Sequence, residues 1–533
     1  MRRGFCSVNT GIQVVWYKRD LRVHDSPILH AAAQHGSVLP LYIVEPSLVH
    51  SHDYDPAHWT FLHQSLDALR TELAALGQPL VVRVGEVVDV LEALSHDIPL
   101  GTLWSHEETG NWQTYQRDLA VARWAQARGI PWHELPQTGV VRRLKSRNGW
   151  ASAWEQYMRA PLAATPRRVQ PVPEVELGPI PFHRDLGLTA STRIEMQPGG
   201  EQEAQRVLAS FLSTRGAGYQ RAMSSPLSAW ETCSRLSTHL AWGTISLRSV
   251  YHEVLRRQEA LRQMDARERL AFAGPTLRDL TAFGSRLHWR SHFMQKLEDE
   301  PRIEFENFNH AYDGLRENDF NRDWFEAWCA GRTGYPLVDA CMRAVCATGY
   351  LNFRMRAMLV SFASYDLWLH WREPGVFLAR QWLDYEPGIH YSQMQMQSGT
   401  TGINTVRIYD PTKQAHDQDP DGEFIRRWVP ELVNVPRAYI HEPWRMPTDV
   451  QHKHNCVLGR TYPLPLVDHM SAARVAHTRI AALRRRTATK EQSRAVLLRH
   501  GSRKEASRRL KTLQTGETHQ LPLGFLFEDE GAE

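Results

Sequence analysis

The chain has 533 residues, 42% of them hydrophobic and 23% charged, which is typical of a globular protein of two to four domains. No apolar run approaches the roughly 18 residues of a membrane span, and no apolar segment of a secretory signal follows the two arginines near the start. The six cysteines occur singly, which predicts neither disulfides nor an iron–sulfur cluster and favours a reducing, cytoplasmic setting.

The net charge of +4 is unevenly distributed. Residues 484–511 contain eleven Lys/Arg and two acids, whereas residues 512–533 contain five acids and no Lys/Arg. Residues 1–483 therefore carry almost no net charge. A surface that binds a polyanion must be a local patch on this body.

Residues 12–135 alternate short apolar runs with helical patterns. The apolar runs read IQVVWY, VLPLYIV, PLVVRV and GTLWSH, and the clearest helical pattern is TFLHQSLDALRTELAAL. This alternation predicts a parallel sheet covered by helices, which is a Rossmann-like α/β domain.

The rest of the chain falls into three zones. Residues 136–205 are rich in Pro and Gly and lack periodicity, so we interpret them as a linker between domains. Residues 206–486 show helical patterns such as TISLRSVYHEVLRRQEALRQM, which predict an all-α domain. Residues 487–533 form a separate basic tail that ends in the apolar peptide QLPLGFLF.

Two stretches of the helical zone carry candidate chemistry. In DYEPGIHYSQMQMQSG, residues 384–399, Asp384, Glu386 and His390 are potential metal ligands, but the further ligands that a metal site needs are missing nearby, so we predict no metal. In WETCSRLSTHLAWGTIS, residues 230–246, the hydroxyls of Ser234 and Ser237 suit a phosphate. Helix capping explains the same hydroxyls equally simply.

Several longer motifs resemble the photolyase/cryptochrome family, in order from about residue 12 to 486. They read VVWYKRDLRVHDSP (14–27), LHWRSHF (287–293), GRTGYPLVDACMR (331–343), FRMRAMLVSFASYDLWLHWRE (353–373) and RIYDPTKQAHDQDPDGEFIRRWVPEL (407–432), together with residues 384–399. The resemblance implies an N-terminal α/β domain, which in relatives holds an antenna chromophore, and a C-terminal helical domain that binds FAD.

The resemblance also implies which residues contact FAD. The family usually has T-S-x-L-S at the diphosphate, and here Cys233 takes the place of the first threonine. Asp384 and Glu386 fall beside the isoalloxazine and ribose, with Arg356 paired to the first acid. The implied cofactor set is Tyr219, Cys233, Ser234, Arg235, Leu236, Ser237, Arg356, Asp384, Tyr385, Glu386 and His390.

The sequence departs from the family at the electron-transfer residues. His390 stands where DNA-repairing relatives usually have Asn facing flavin N5. Met394 replaces the proximal tryptophan of the family's triad, Trp371 matches the middle one, and the distal position falls near Asn318. We therefore expect photoreduction to use another route than the triad. The candidates are Trp382, Trp324 and Trp328.

On the DNA side, Trp289 matches the aromatic residue that stacks on a flipped lesion. The implied DNA contacts are Arg286, Trp289, Arg290, Phe353, Arg354 and Gln414, and the implied catalytic set is Trp289, Arg356, Asp384 and His390. Arg286 stands where pyrimidine-dimer enzymes carry Glu, and Phe353 where they carry Asn. The histidine pair of (6–4) enzymes is missing from residues 349–357, and Asn352 lies one residue off.

We predict a monomeric lyase that repairs cyclobutane pyrimidine dimers in UV-damaged DNA with blue light. The alternatives are a cryptochrome-like photoreceptor without repair activity and a flavoprotein that does not use light. A pterin or deazaflavin antenna is a further expectation. Glu107 or Glu108 is the candidate ligand for a pterin, although both acids also suit helix capping.

The tail holds two further patterns. Ser502 and Glu505 form a capping-box pattern, which predicts a basic helix from Arg503 towards Gln514. Gln520, Leu523 and Phe525 resemble the Q-L-x-L-x-F peptide by which bacterial DNA-processing enzymes dock on the replication sliding clamp. The alternative is that this apolar peptide packs back onto the body.

Overall fold

The computed structural model describes residues 11–502. The N-terminal part of the chain forms a parallel five-stranded sheet in the order β3-β2-β1-β4-β5. Its strands are Ile12–Tyr17 (β1), Val38–Val44 (β2), Val81–Val84 (β3), Leu100–His106 (β4) and Trp132–Leu135 (β5). The four predicted apolar runs become β1 to β4, whereas the short half-exposed β5 was not predicted.

Helices cover both faces of this sheet. They are Pro27–Ala32 (α1), Pro46–Val49 (α2), Pro56–Leu76 (α3), Val87–Asp97 (α4) and Trp112–Arg128 (α5). Alternate residues of β1 enter different apolar clusters: Val15 and Tyr17 pack with α1 and α3, and Val14 and Trp16 pack with α4 and α5. Burial on both faces explains why the strands read as continuous apolar runs.

Residues 136–205 contain structure that the linker interpretation missed. An α-helix, Trp150–Arg159 (α6), and a 3-10 turn, His183–Leu186, lie within this segment. Trp150, Trp154 and Met158 recur every four residues of α6 and are buried. This short apolar stripe is hidden in the sequence by the Pro and Gly residues around it. The domain boundaries at residues 135 and 205 stay a prediction.

The C-terminal part is helical, and the predicted fold class is confirmed. Its helices are Glu201–Ser210 (α7), Tyr219–Ala222 (α8), Pro226–Thr232 (α9), Ser237–Trp242 (α10), Leu247–Gln263 (α11), Ala266–Ala271 (α12), Leu277–Asp299 (α13), Arg322–Cys329 (α14), Pro336–Thr348 (α15), Phe353–Ser361 (α16), Arg372–Gln381 (α17), Pro387–Ser398 (α18), Pro411–Gln418 (α19), Glu423–Trp428 (α20), Thr448–Lys453 (α21), His469–Arg484 (α22) and Thr487–His500 (α23). The helical pattern of residues 353–371 is interrupted, because α16 gives way to a π-helical turn, Phe362–Asp366.

The start of the predicted tail is part of the body. Helix α23 packs on the end of α13: the His500 Nε2 lies 2.5 Å from the Glu300 carboxylate, and Arg499 donates to the Asp299 carbonyl at 2.6 Å. The predicted basic helix from Arg503 and the clamp-like peptide from Gln520 lie outside the described residues. Within residues 11–502, no helix is both long and apolar enough to cross a membrane.

Candidate active site

The centre of the site is an ion pair between α16 and the loop that precedes α18. The Arg356 Nη1 and Nη2 each donate to one oxygen of Asp384 at 2.9 Å. Burial alone would raise the pKa of Asp384, but Arg356 and a hydrogen bond from Ser237 more than offset it, so its pKa lies below the usual value. Asp384 is therefore a buried carboxylate, 6% exposed, at the place where the sequence predicts it.

The second acid, Glu386, is paired with an arginine of α13. The Arg290 Nη2 donates to Glu386 at 2.7 Å and to the Leu240 carbonyl at 3.0 Å, and the Arg290 side chain is only 9% exposed. Arg19 approaches the same carboxylate at 3.8 Å from the sheet domain. Arg290 is predicted to contact DNA, and this stays a prediction; in the structure its guanidinium donates to Glu386. Such a contact between distant segments is invisible in the sequence.

His390 is buried beside this centre on α18. Its Nε2 lies 2.8 Å from the Gly375 carbonyl, so this nitrogen carries the proton and donates it. Burial lowers the pKa of His390 to about 4. The imidazole is thus neutral at ordinary pH, with its Nε2 proton engaged by the backbone.

A neutral buried histidine makes stability depend on pH. The pKa of His390 is about 4 when folded, below the ordinary 6.5, so between these values only the unfolded chain binds the proton. Stability therefore falls as the pH drops from about 6.5 to 4, by at most about 3 kcal/mol for this residue. We expect His390→Asn to flatten that fall in urea unfolding curves. The exposed His35→Asn serves as the control, and equal pH slopes in all three proteins would contradict the assignment.

The loop over residues 232–237 is held by an arginine that the sequence analysis missed. The Arg215 Nη1 donates to the carbonyls of Glu231 and Cys233 at 2.8 and 2.7 Å, and its Nη2 donates to that of Ser234 at 3.2 Å. These bonds fix the loop that carries the two serine hydroxyls. The signal for Arg215 is weak, because it lies in a π-helical turn 16 residues or more before its partners.

Arg235 provides the clearest test of whether the loop fits an anionic cofactor. Its guanidinium lies between two rings, 4.2 Å from the centre of Trp230 and 3.7 Å from that of Tyr350. Its Nη1 is buried and has no hydrogen-bond partner. With Arg215 and Arg286 also near Cys233, this cationic cluster fits the diphosphate of FAD.

Three other residues of the predicted cofactor set lie close to this loop. Tyr219 is buried and hydrogen-bonded to Arg286. Burial raises the pKa of the Cys233 thiol to about 11, so it stays protonated. The Leu236 side chain is fully buried in the apolar core, so only its backbone is available to a cofactor.

Tyr385 faces away from the site that was predicted for it. Its hydroxyl donates to Asp53 of the sheet domain at 2.8 Å and lies 3.2 Å from that of Tyr391. The residue contributes to a cavity in the N-terminal domain, described below. Asp384 and Glu386 thus bind arginines of the helical domain, while Tyr385 between them contacts the sheet domain.

The predicted DNA side adjoins the flavin side. Trp289 is half-buried on α13, with its ring 5.1 Å from His292 and 5.7 Å from Phe293. Arg286, one turn earlier, contacts the Met223 sulfur at 3.7 Å. Asn352 donates to the carbonyls of Met223 and Ser224 at 3.1 and 2.8 Å. The segment around Met223 therefore brings α13 and the start of α16 together.

Three more predicted DNA contacts line this region. Phe353, at the start of α16, is 43% exposed. The Arg354 Nε and the Gln414 Oε1 are buried without a hydrogen-bond partner. Helix α19, which carries Gln414, is tied to the same region because Ser225 donates to the Gln418 carbonyl at 2.6 Å. Atoms of this kind also occur elsewhere in the described chain, so they do not mark this region by themselves.

Comparison with known proteins agrees with this geometry. A family model described as the FAD binding domain of DNA photolyase matches residues 283–482, and one described as DNA photolyase matches residues 13–173. A deoxyribodipyrimidine photo-lyase of Vibrio cholerae is 30% identical over 488 residues, which cover 86% of this chain and 97% of that protein. The chain belongs to the photolyase/cryptochrome family. The predicted family and its FAD-binding domain are confirmed.

The similar proteins include both cryptochromes and photolyases. A cryptochrome DASH of Gloeobacter violaceus is 29% identical over 504 residues, covering 87% of this chain and 95% of that protein. The crystal structure of a bacterial class III photolyase from Agrobacterium tumefaciens has a TM-score of 0.76 at 27% identity, covering 91% of this chain and all of that one. Family membership alone does not distinguish repair from light reception.

The residues predicted to take part in electron transfer lie in the helical domain. Trp371 is fully buried and donates from its Nε1 to Asn307 at 2.7 Å. Its ring lies 6.4 Å from that of Tyr391, which in turn lies 5.2 Å from His390. Trp382 is nearer to the ion pair, with its ring 4.2 Å from the Arg356 guanidinium. Trp382 and Trp328 belong to one buried apolar cluster.

A cavity of about 100 Å³ lies at the carboxyl ends of β1, β2 and β4. Glu45, Asp53, Glu108, Arg117 and Tyr385 are among its lining residues, whereas Glu107 is not. The Arg117 guanidinium donates to Glu108 at 2.6 Å and to Glu45 at 3.1 Å.

Among residues 11–502, no three His, Cys, Asp or Glu side chains are grouped to hold a metal ion.

Proposed function

We propose that this protein is a light-dependent DNA repair flavoprotein that splits cyclobutane pyrimidine dimers. The observation that carries the proposal is the arrangement of α13 and α16. Within one turn, α16 presents Phe353 and Arg354 on the DNA side and Arg356 at the ion pair with Asp384. Helix α13 presents Trp289 next to Arg290, which binds Glu386. A lesion at Trp289 would thus lie beside the flavin.

The residues of the chain have separable roles in this reaction. Arg235 and the loop of residues 232–237, which Arg215 fixes, would hold the diphosphate, while Arg356 and Asp384 would orient the ring system. Trp289 stacks on a flipped base, and Arg354 and Gln414 are the further candidate DNA contacts on α16 and α19. FAD held by these residues would, when reduced and excited by blue light, supply the electron that opens the dimer and accept it again afterwards.

The second candidate function is a light receptor without repair activity. It is favoured by Arg290, which is committed to Glu386, and by Arg286, which contacts Tyr219 and Met223 where dimer enzymes carry an acid. A receptor needs the flavin site but not an aromatic ring beside it for a flipped base. The half-buried Trp289, next to Arg290 on α13, favours the repair function.

Binding in the dark, combined with repair in the light, distinguishes the candidates. We expect the flavin-loaded protein to bind a duplex with one cyclobutane dimer more tightly than the undamaged duplex. Its affinity for DNA should fall as the salt concentration rises. Blue light should then restore the dimer, with no change in darkness. Equal affinity for both duplexes and no repair would favour the receptor. Repair of (6–4) products alone would show that these products, and not cyclobutane dimers, are the substrate.

We further propose that the cavity at the carboxyl ends of β1, β2 and β4 holds an antenna chromophore. Ligands of parallel α/β sheets bind outside the carboxyl ends of the strands, where this cavity lies. Burial raises the pKa of Glu45 to about 7, despite its bond to Arg117. Glu108 rather than Glu107 is the acid within reach of a ligand there.

Trp382 is our candidate for the first electron donor in photoreduction. It lies against Arg356, whereas Met394 interrupts the route from Trp371. We therefore expect Trp382→Phe to slow the light-driven loss of oxidised flavin absorbance, measured with an excess of thiol, more than Trp371→Phe does. Trp444→Phe is the control for a half-buried tryptophan elsewhere in the domain. Loss of photoreduction in Trp371→Phe alone would show that the middle tryptophan still conducts.

A further inference from the structure

An apolar stripe on the outer face of α5 lacks cover in the described part of the chain. Trp112, Tyr115 and Leu119 follow each other at helical spacing and are 44%, 45% and 37% exposed. The rings of Trp112 and Tyr115 lie 5.6 Å apart. Large aromatic side chains exposed side by side mark an interaction surface.

The stripe continues across the domain junction onto the helical domain. The Trp112 amide donates to the Glu304 carboxylate at 2.6 Å, and the next residue, Phe305, is 39% exposed. Arg123, one more turn along the same face of α5 beyond Leu119, is exposed. The surface thus runs from Phe305 over the aromatic pair to a cation. We call these five residues the α5 stripe.

The described chain ends close to the Phe305 end of the α5 stripe. The His500 Nε2 lies 2.5 Å from the carboxylate of Glu300, which begins the short 3-10 turn Pro301–Glu304 that leads to Phe305. Ser502, the last described residue, follows two positions later. Residues 503–519 reach roughly 55–60 Å when fully extended, which is far more than is needed to join Ser502 to the Phe305 end of the stripe.

The chain beyond Ser502 contains an apolar peptide that is long enough to cover the stripe and is followed by acids that complement its cation. QLPLGFLF, residues 520–527, spans roughly 26–29 Å when extended, and the path from Trp112 to Arg123 along α5 is about 17 Å. Glu528, Asp529 and Glu530 follow the apolar residues directly. If the peptide runs from Phe305 towards Leu119, these acids reach Arg123.

We propose that residues 520–530 of the same chain dock on the α5 stripe. Leu523 and Phe525 cover Tyr115 and Leu119, and the acids that follow pair with Arg123. Tethering makes the contact intramolecular, so a modest affinity suffices to keep it closed. The docked peptide braces the junction between the sheet domain and the helical domain, beside the helix end that carries Asn111 and Thr114 of the cavity. The proposal does not depend on the repair function.

Photo-crosslinking in the full chain tests this proposal. Phe525 is replaced by benzoylphenylalanine, the protein is irradiated at low concentration, and the crosslinked residue is mapped by mass spectrometry. We expect an intramolecular crosslink within residues 112–123 or at Phe305. Its yield should fall at least about tenfold in Tyr115→Asp with Leu119→Asp, because anchors at the centre of a contact carry most of its affinity.

The control is Leu162→Asp, another exposed apolar residue outside the α5 stripe, which should leave the yield unchanged. Flavin content identifies any variant that fails to fold. An intramolecular crosslink elsewhere, no crosslink, or an equal yield in the stripe variant would overturn the proposal. A crosslink to added sliding clamp of the same organism, with none to α5, would likewise overturn it and identify the clamp as the partner.

Discussion

Arg356→Ala and Asp384→Ala will each yield protein that purifies almost without flavin. Arg356→Ala leaves the Asp384 carboxylate, which is 6% exposed, without its bidentate partner. Asp384→Ala leaves the Arg356 guanidinium without the carboxylate that orients it. Breaking a buried pair on one side typically costs about 3–5 kcal/mol. Because the pair also faces the cofactor, we expect much of this cost to appear as lost FAD affinity, measured from the ratio of flavin to protein absorbance.

A second ion pair provides the matched control. Arg343 binds Glu431 through both of its terminal nitrogens, at 2.7 and 3.0 Å, and its side chain is 21% exposed, close to the 24% of Arg356. Arg343→Ala should lower the unfolding free energy but leave the flavin bound. Full flavin occupancy in both Arg356→Ala and Asp384→Ala would remove the assigned cofactor site.

Trp289→Ala will abolish preferential binding of damaged DNA and, with it, most of the repair at limiting substrate. The half-buried indole offers a stacking face next to Arg286 and Arg290, and the loss of base stacking costs about 1–3 kcal/mol. The affinity for a dimer-containing strand should therefore fall roughly tenfold to a hundredfold. Flavin content should stay unchanged, because the Arg356–Asp384 pair remains.

Trp444→Ala is the control for this substitution, since Trp444 is also half-buried in the helical domain but packs on Tyr335, away from the site. It should bind damaged DNA as the unsubstituted protein does. If Trp289→Ala binds and repairs dimers normally, the lesion does not lie against this ring, and the DNA side must be sought elsewhere.

The fold was predictable because its signals are local. Four apolar runs separated by helical patterns specify β1 to β4 and the parallel sheet. Helix α6 was missed, since its apolar stripe is only Trp150, Trp154 and Met158 within a segment rich in Pro and Gly. The π-helical turn after α16 was also missed, because a helical period does not reveal where one residue is inserted.

The site was predictable only where a motif carries it. The Arg356–Asp384 pair follows from the family resemblance and appears as expected. Arg215 and the bond between Arg290 and Glu386 join segments far apart in sequence, and no local pattern announces them. Tyr385 shows a further limit: a residue between two site acids points to the other face, where it binds Asp53.

Dimer splitting shows whether reduced FAD and a flipped pyrimidine dimer meet at Trp289 and Arg356, as we propose. Flavin-loaded, chemically reduced protein is mixed with UV-irradiated oligothymidine, and the ultraviolet absorbance regained as dimers revert to thymines is followed. We predict recovery under blue light, none in darkness, and a much slower rate in Trp289→Ala. No recovery under blue light at full flavin occupancy would contradict the repair function.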